Sequence, residues 1–403
     1  MSIVTMTTTR ILSVHRMIIK RILSSLVGVA LLLATAEFVY RFVHDKQTTD
    51  KYANDPLCVS DAVLGYRFRQ GSVSPQGKSV NCINNVGFRG DDVDVIKPKN
   101  TYRIVCVGDS ATNGVNVHNH ETYPGILSEM FSRSQFKDNL KVEVINAGVP
   151  GYVTDHHAYL FERYLEISPD LFIFMLGMTD VQAILQRHEG WDTIRKRVAA
   201  RNYNTFVEYL IQRSRLCSAI EAWLSEWIDE LQLQAHEKKD LTPEIEQALI
   251  LYSKNMQAMI DGCRARGISV FNINYPWNFT SSVGREDNFT PLKDTIKYWE
   301  FNLFWQAMPL LGQANASLAA KNNMVYLDPQ PSVLKAKDRL LFYGKADFSH
   351  PSIQGNFIIA TLVYKTLLKT VLRDKIVREC DGFEFAQLYL LGIPELPVND
   401  MKQ

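Results

Sequence analysis

Short apolar runs alternate with helix-like segments in the middle of the chain, and this alternation limits the fold more than any other feature. The runs Arg103 to Val107, Lys141 to Ile145 and Leu171 to Leu176 are rich in β-branched and aromatic residues, as strands are. Between them, residues 122–131 and 155–167 repeat their apolar residues at helical spacing. Strand, helix, strand, helix, strand is typical of an α/β domain built on a parallel sheet.

The pattern continues towards the C-terminus. Further helices and strands are predicted at residues 192–236, 242–266, 268–274, 291–321, 324–327 and 354–372. The chain therefore predicts one α/β domain at about residues 101–375, with a helical insertion at about 185–266 and a C-terminal tail at 376–403. Residues 44–100 are rich in Asp, Asn, Gly, Ser and Pro, which favours an irregular leader with a small hairpin.

An uncharged apolar run, Ile22 to Ala36, lies near the N-terminus. Extended over residues 22–41, it reaches the roughly twenty residues that a membrane-spanning helix needs. Basic residues precede it, and this bias keeps residues 1–21 in the cytoplasm and exports the chain beyond the run. We therefore expect a single-pass anchor with the main domain on the periplasmic side. The triplet Ala34-Thr35-Ala36 also resembles a signal-peptidase site, so a secreted form cleaved after Ala36 is the alternative.

Charge and cysteine content exclude several classes of protein. The chain has 44 basic and 43 acidic residues and no basic stripe, which argues against a nucleic-acid partner. Its six cysteines show no C-x-x-C spacing, which argues against structural zinc. Export would permit disulfides, and Cys58 with Cys82 is the expected pair. Cys106, inside an apolar run, is expected to be an ordinary buried thiol.

Small and polar residues follow three of the strands directly. They are Gly108-Asp109-Ser110, Asn146 to Gly151 and Gly177 to Asp180. Sites form at the carboxyl ends of strands in an open parallel sheet, so these junctions are candidate parts of a site. A fourth candidate, Asp347 to Pro351, precedes the last helix.

These junctions hold the groups that nucleophilic catalysis requires. Ser110 can act as nucleophile, and its backbone N–H can face the same site. His350 can act as base, with Asp347 three residues earlier to orient it. A Gly-Asp-Ser triplet or a lone histidine occurs often in ordinary structure. The co-occurrence of all these groups in order is what favours catalysis.

The four junctions resemble, in order and spacing, the blocks of the SGNH, or GDSL-type, hydrolases. The resemblance covers about residues 102–372, and residues 84–89 resemble the leader of exported, membrane-anchored bacterial members. It implies a flavodoxin-like three-layer α/β/α sandwich without a cofactor, and hydrolysis of esters such as acetyl groups on carbohydrates or acyl chains of lipids. It also implies that Ser110, His350 and Asp347 are nucleophile, base and orienter. The Ser110 and Gly151 N–H groups would be two oxyanion donors.

The third oxyanion donor departs from the family pattern, because Thr179 stands where an asparagine is usual. Three outcomes are open: Thr179 donates through its hydroxyl, another group such as Asn113 supplies the amide, or the enzyme is slow. The histidine pairs His118/His120 and His156/His157 lack a matching carboxylate or cysteine spacing, so we expect no metal site and assign them to loops and helix surfaces.

Two functions are compatible with these patterns. The first is an exported serine esterase that cleaves, or transfers, acyl groups, chiefly O-acetyl, on an extracytoplasmic carbohydrate or lipid through an acyl-enzyme. The alternative, motivated by Thr179, is a weakly active or non-catalytic carbohydrate-binding or assembly protein with the same fold.

Overall fold

The fold is taken from a computed structural model of the protein. It describes residues 55–61, 63–77, 80–185, 242–277, 298–335 and 349–381, with Ser25, Gly28, Leu32, Thr35 and Ala36 near the N-terminus. The chain divides into two units, Met1–Lys51 with Ala200–Ala235 and Tyr52–Ala199 with His236–Gln403, and the architecture below is that of the second. Apart from those five positions, the expected anchor at 22–41 lies outside the described residues, as does the helical pattern at 192–236. Of the helices in the described residues, none is both long and apolar enough to cross a bilayer.

Strands and helices alternate along the described part of the chain. Its strands are β1 Cys58–Asp61, β2 Gly65–Phe68, β3 Thr101–Gly108, β4 Gln135–Phe136, β5 Lys141–Asn146, β6 Leu171–Met175, β7 Ser269–Ile273, β8 Val325–Leu327 and β9 Ile376–Arg378. Its α-helices are α1 Ser110–Asn113, α2 Tyr123–Ser132, α3 Thr154–Tyr159, α4 Phe161–Leu165, α5 Met178–Leu185, α6 Thr242–Arg264, α7 Tyr298–Asn322, α8 Gln330–Lys335 and α9 Ile353–Lys369. The strands predicted at 103–107, 141–145, 171–176, 268–274 and 324–327 are confirmed to within two residues at each end.

Five of the strands form one parallel sheet in the order β5-β3-β6-β7-β8. The chain leaves β3 towards one edge of the sheet and leaves β6 towards the other. Because such crossovers are right-handed, their helices fall on opposite faces. The helix contacts agree: α2 packs against β5 and α9, whereas α6 packs against α3, α5 and α7. The sheet flanked by helices confirms the predicted parallel α/β architecture.

The core lies along the central strands. All five residues of β6 are buried, as are Ile104 to Val107 of β3. A strand covered by helices on both faces has no solvent side, so β6 is a continuous apolar run and not an alternating one. Cys106 is completely buried, as expected. This rigid centre holds the ends of β3 and β6 side by side, because Gly108 pairs with Met175.

The leader contains the predicted hairpin, formed by antiparallel β1 and β2. Four apolar residues of the leader form a small cluster with Val149 and Tyr152 of the main domain. They are Val63, Leu64, Phe68 and Ile83. The expected disulfide is wrong, because Cys58 and Cys82 are both free. The Cys82 sulfur instead accepts a hydrogen bond from the Asn119 amide at 3.1 Å. The leader is therefore fixed by packing and hydrogen bonds.

Two local features differ from the sequence expectations. The helix expected over residues 155–167 is two short helices, α3 and α4, which meet at Leu160. Near the C-terminus, β9 pairs with β4 in a separate two-stranded sheet. Neither strand was predicted, because runs of two and three residues are too short to show a period.

Candidate active site

Ser110 lies at the sharp turn where β3 ends and α1 begins. Gly108 permits this turn, because a Cβ there would lie 2.0 Å from Thr112 Oγ1 and 2.7 Å from the Met175 carbonyl oxygen. Asp109 then caps α1 by accepting the Ala111 N–H at 3.0 Å. The turn leaves Ser110 half-buried at the carboxyl edge of the sheet, where the adjacent ends of β3 and β6 form a crevice.

The His350 ring meets Ser110 across 240 residues of sequence. His350 Nε2 lies 2.8 Å from Ser110 Oγ, within normal hydrogen-bond range. His350 precedes α9, whose first turn is capped by the Ser352 hydroxyl on the Gly355 N–H. The structure thus brings the predicted nucleophile and base together. The predicted orienter, Asp347, lies outside the described residues.

Asp109 is the buried carboxyl group next to Ser110. Only 1% of its surface is exposed, and its Oδ1 accepts both the Ala111 N–H at 3.0 Å and the Tyr275 hydroxyl at 3.2 Å. Burial raises the pKa of Asp109, while these hydrogen bonds, that from Thr179 and the nearby His350 oppose the rise. The same Tyr275 hydroxyl lies 3.3 Å from the Ser349 carbonyl, so it links Asp109 to the histidine segment.

Thr179 sits at the end of β6, beyond a glycine that has no room for a side chain. Gly177 has a φ of +112°, and a Cβ there would lie 2.4 Å from Leu311 Cδ1. The Thr179 hydroxyl donates to Asp109 Oδ2 at 2.8 Å. The predicted third oxyanion donor is therefore hydrogen-bonded to a carboxylate in this arrangement.

The loop with Gly151 is tied to the nucleophile turn. The Val149 N–H donates to the Gly108 carbonyl at 2.9 Å, and the Asn113 amide donates to the Gly148 carbonyl at 3.0 Å. Gly151 itself is exposed, with a φ of +71°. The Asn113 amide thus uses one of its two protons within the protein to hold this loop.

Asp180 fixes the next stretch of the same loop. It accepts the Thr154 N–H at 3.1 Å and the Thr154 hydroxyl at 2.5 Å, and the Asn255 amide of α6 reaches that hydroxyl at 3.3 Å. Burial raises the pKa of Asp180 to about 7, the Thr154 hydrogen bonds oppose this rise, and Asp109 adds to it. Asp180 supports the site, as its sequence position suggested.

Arg89 of the leader is a positioning residue that the sequence patterns did not indicate. It is 4% exposed, and Nη1 donates to the carbonyls of Asn113 at 2.8 Å and Gly114 at 2.7 Å, where α1 ends. Nη2 donates to two further carbonyls, of Val80 at 3.0 Å and Val117 at 2.6 Å. Burial lowers the pKa of Arg89 to about 10, so the group stays charged at neutral pH. The available signal was an arginine between two glycines, Gly87 and Gly90, in an otherwise irregular leader.

The histidine pairs differ in their surroundings. His118 and His120 are exposed, as expected of loop residues. His156 and His157 are buried and not on a helix surface, because α3 packs against α6. His157 Nδ1 lies 2.9 Å from the Tyr164 hydroxyl, and burial lowers the pKa of His157 to about 3. That histidine is thus neutral and part of the interior.

Several solved structures match this chain at low sequence identity. One is a variant of Axe2, an acetyl xylan esterase from Geobacillus stearothermophilus, at 14% identity, with 71% of this chain and 100% of that one covered and a TM-score of 0.39. Another is LAE5, an alpha/beta hydrolase enzyme from the metagenome of Lake Arreo, Spain, at 13% identity, 66% and 94% coverage and a TM-score of 0.39. No curated protein matches the chain.

A sequence model of a protein family matches the part of the chain that carries this site. The family is described as "GDSL-like Lipase/Acylhydrolase family", and the match covers residues 106–357. Those residues include the β3 turn with Ser110, the loop with Gly151, the end of β6 with Thr179, and His350. The match confirms the resemblance drawn from the sequence blocks. The chain therefore belongs to the GDSL-like lipase/acylhydrolase family and is a carboxylic ester hydrolase.

Proposed function

We propose that the protein is a serine esterase that removes, or transfers, O-acetyl or related acyl groups on an extracytoplasmic carbohydrate or lipid. The observation that carries this proposal is the 2.8 Å contact between His350 Nε2 and Ser110 Oγ at the carboxyl edge of the sheet. A serine within hydrogen-bond reach of an imidazole can lose its proton as it attacks a carbonyl carbon. The acyl class and the location outside the cytoplasm are supported by the resemblance of the sequence blocks and leader to exported members.

In the first half of the reaction, Ser110 Oγ forms a bond to the ester carbonyl carbon and its proton moves to His350 Nε2. The carbonyl oxygen becomes an oxyanion, which the Ser110 and Gly151 N–H groups stabilise. The intermediate then collapses: the C–O bond to the alcohol breaks, and the alcohol oxygen takes the proton from His350. An acyl-Ser110 ester remains.

In the second half, a hydroxyl compound attacks the acyl carbon and gives its proton to His350. The bond to Ser110 Oγ breaks, and Oγ recovers that proton. With water the product is the carboxylic acid, and with a sugar hydroxyl it is a new ester. The same residues perform both reactions, so the choice depends on which acceptor the site admits.

A comparison of serine variants tests the role of Ser110. We expect Ser110→Ala to lower kcat on an aryl acetate by at least about 10³, because the covalent route is lost. Ser132→Ala, at the end of α2 where the hydroxyl donates to the Glu129 carbonyl, is the matched control and should retain the wild-type rate. Labelling of Ser110 by a serine-reactive phosphonate provides a second readout. Equal rates for wild type and Ser110→Ala would instead favour the carbohydrate-binding alternative.

The proposed location rests on the apolar run at residues 22–41 and the basic residues before it. With the full chain in a bacterial host, we expect the protein in the membrane fraction and its main domain digested by protease added to spheroplasts. A soluble periplasmic form that begins at Glu37 would support the cleaved signal. Protection from the protease would contradict export.

A further inference from the structure

The direction of the hydrogen bond between Thr179 and Asp109 depends on which of the two groups donates the proton. Thr179 Oγ1 and Asp109 Oδ2 lie 2.8 Å apart. A hydroxyl has a single proton to donate, and an ionised carboxylate can only accept. If Asp109 is ionised, the Thr179 proton is therefore committed to it. No proton then remains for an oxyanion.

The bonding of Asp109 is compatible with a neutral acid. Oδ1 accepts the Ala111 N–H at 3.0 Å and the Tyr275 hydroxyl at 3.2 Å, whereas Oδ2 faces Thr179. A proton on Oδ2 would leave both Oδ1 bonds intact. It would also reverse the bond to Thr179, whose oxygen would then accept and whose proton would be free to point elsewhere.

We propose that, in the active enzyme, Asp109 is a protonated acid that donates from Oδ2 to Thr179 Oγ1, so that the Thr179 hydroxyl donates to the oxyanion. This inference rests on the proposed function. It makes Asp109 a positioning residue that acts through Thr179. It also explains how a threonine can fill a position where the family has an asparagine. An asparagine amide has two protons and a threonine hydroxyl has one, so the buried acid supplies the missing proton for the bond between Asp109 and Thr179.

The titratable groups around Asp109 act in opposite directions, because His350 and the Tyr275 hydrogen bond lower its pKa, whereas burial raises it. They come from four elements: His350 before α9, Asp180 of α5, Tyr275 after β7 and Tyr123 of α2. A second buried carboxyl at Asp180 disfavours a negative charge on Asp109. Among the described residues, neither a lysine nor an arginine is paired with Asp109. Burial at 1% exposure acts in the same direction.

The proposal predicts how kcat changes with pH on the alkaline side of the pH profile. Catalysis needs His350 neutral, so the rate rises with pH on the acid side. It also needs Asp109 protonated, so the rate falls as pH rises through the pKa of Asp109. Loss of one oxyanion donor lowers kcat by about 10²–10³, and this is the expected depth of the alkaline limb.

Asp109→Asn mimics the protonated acid at every pH. Its oxygen can accept the two Oδ1 bonds, and its amide can donate to Thr179. We expect this variant to lose the alkaline limb of kcat and to exceed wild type at high pH. A folded Asp109→Asn protein that loses about 10² or more in kcat at all pH values, or that keeps the alkaline limb, would overturn the proposal.

Thr179→Asn gives an independent result if Asp109→Asn does not fold. The amide has two protons, one for an ionised Asp109 and one for the oxyanion, so the alkaline limb should disappear here too. An unchanged limb would overturn the proposal. An infrared carbonyl band of a protonated carboxylic acid, present in wild type and absent in Asp109→Asn, is the direct readout. The Ser110→Ala variant distinguishes this inference from the proposed function. If Ser110→Ala is inactive but the alkaline limb of kcat is unaltered in both Asp109→Asn and Thr179→Asn, only this inference is contradicted. If Ser110→Ala is fully active, the proposed function is contradicted.

Discussion

Thr179 is the residue at which this chain departs from its family, and its single proton has consequences for its neighbours. An asparagine there could bond Asp109 and an oxyanion at once, whereas a threonine can serve only one of them. The structure shows the bond to Asp109, at 2.8 Å. The backbone of this segment must therefore hold the hydroxyl oxygen close to both groups, and the residue that sets this backbone is Gly177.

Substitution of Gly177 should damage stability and activity together. Gly177→Ala combines a left-handed φ of +112° with a clash against Leu311, so we expect a loss of about 2–4 kcal/mol in the free energy of unfolding and a fall in kcat. Gly90→Ala is the matched control, because Gly90 has a φ of +116° and open space around it. Urea unfolding of the two variants separates strain from clash. Equal losses would show that the contact with Leu311 has no effect.

At the scale of elements, the site depends on the contacts that hold the short helix α1 against the leader and the end of β5. The Arg89 side chain binds the carbonyls at the end of α1, and the Arg89 N–H donates to the Asn146 carbonyl at 3.0 Å. The Asn146 amide in turn donates to the Asn113 carbonyl at 3.2 Å. A cation at a helix C-terminus also offsets the partial negative charge of its unpaired carbonyls. The leader and the end of β5 thus fix the helix that begins with Ser110.

Removal of the Arg89 guanidinium should weaken the contacts that hold α1 in place. In Arg89→Met, several buried carbonyls lose their donors, and each costs about 1–3 kcal/mol. We expect the free energy of unfolding to fall by at least about 3 kcal/mol and kcat to fall more than KM rises. Arg89→Lys keeps the charge and at most three donors, and should lie between Met and wild type. Added guanidinium ion should partly restore kcat in a smaller variant, Arg89→Ala. Unaltered kcat in folded Arg89→Met would show that the leader only covers the domain.

The elements of the sheet were predictable from sequence because their signals are local. A run such as Leu171 to Met175 is apolar throughout, and a fully buried parallel strand requires that. The contact between Ser110 and His350 was inferred from a family resemblance, since it spans 240 residues. Contacts of Arg89 and Tyr275 leave no period in the sequence, so they were missed. The Cys58–Cys82 pairing failed because the sequence did not show that Cys82 packs against Asn119.

At the scale of the whole molecule, the position of the site is set by the order of the strands. The chain turns in opposite directions after β3 and β6, which are neighbours in the sheet, and a crevice forms where such strands end. This crevice collects two buried carboxyls, Asp109 and Asp180, because both follow those strands. Each has a pKa raised by burial. The fold therefore places two carboxyl groups that are costly to ionise at the place where the chemistry occurs.

The free energy of unfolding should depend on pH, because a buried carboxyl group is costly to ionise. Asp180 has a native pKa of about 7 against an ordinary value of 3.8, so between these values the native state binds more protons than the unfolded chain. Stability consequently falls as pH rises through this window, by an amount on the order of a few kcal/mol for this group.

Asp180→Asn keeps the oxygen that accepts from Thr154 and removes the titration. We expect its free energy of unfolding, measured with urea from pH 4 to pH 8, to depend less on pH than that of wild type. Asp170→Asn is not a suitable control, because that carboxylate pairs with Lys97 at 2.7 Å. Asp261→Asn is suitable, because the Asp261 side chain is 56% exposed and its ion pair with Arg264 at 3.4 Å lies in solvent; this variant should follow the wild-type curve. If Asp180→Asn followed it too, Asp180 would have to be ionised in the folded protein well below neutral pH.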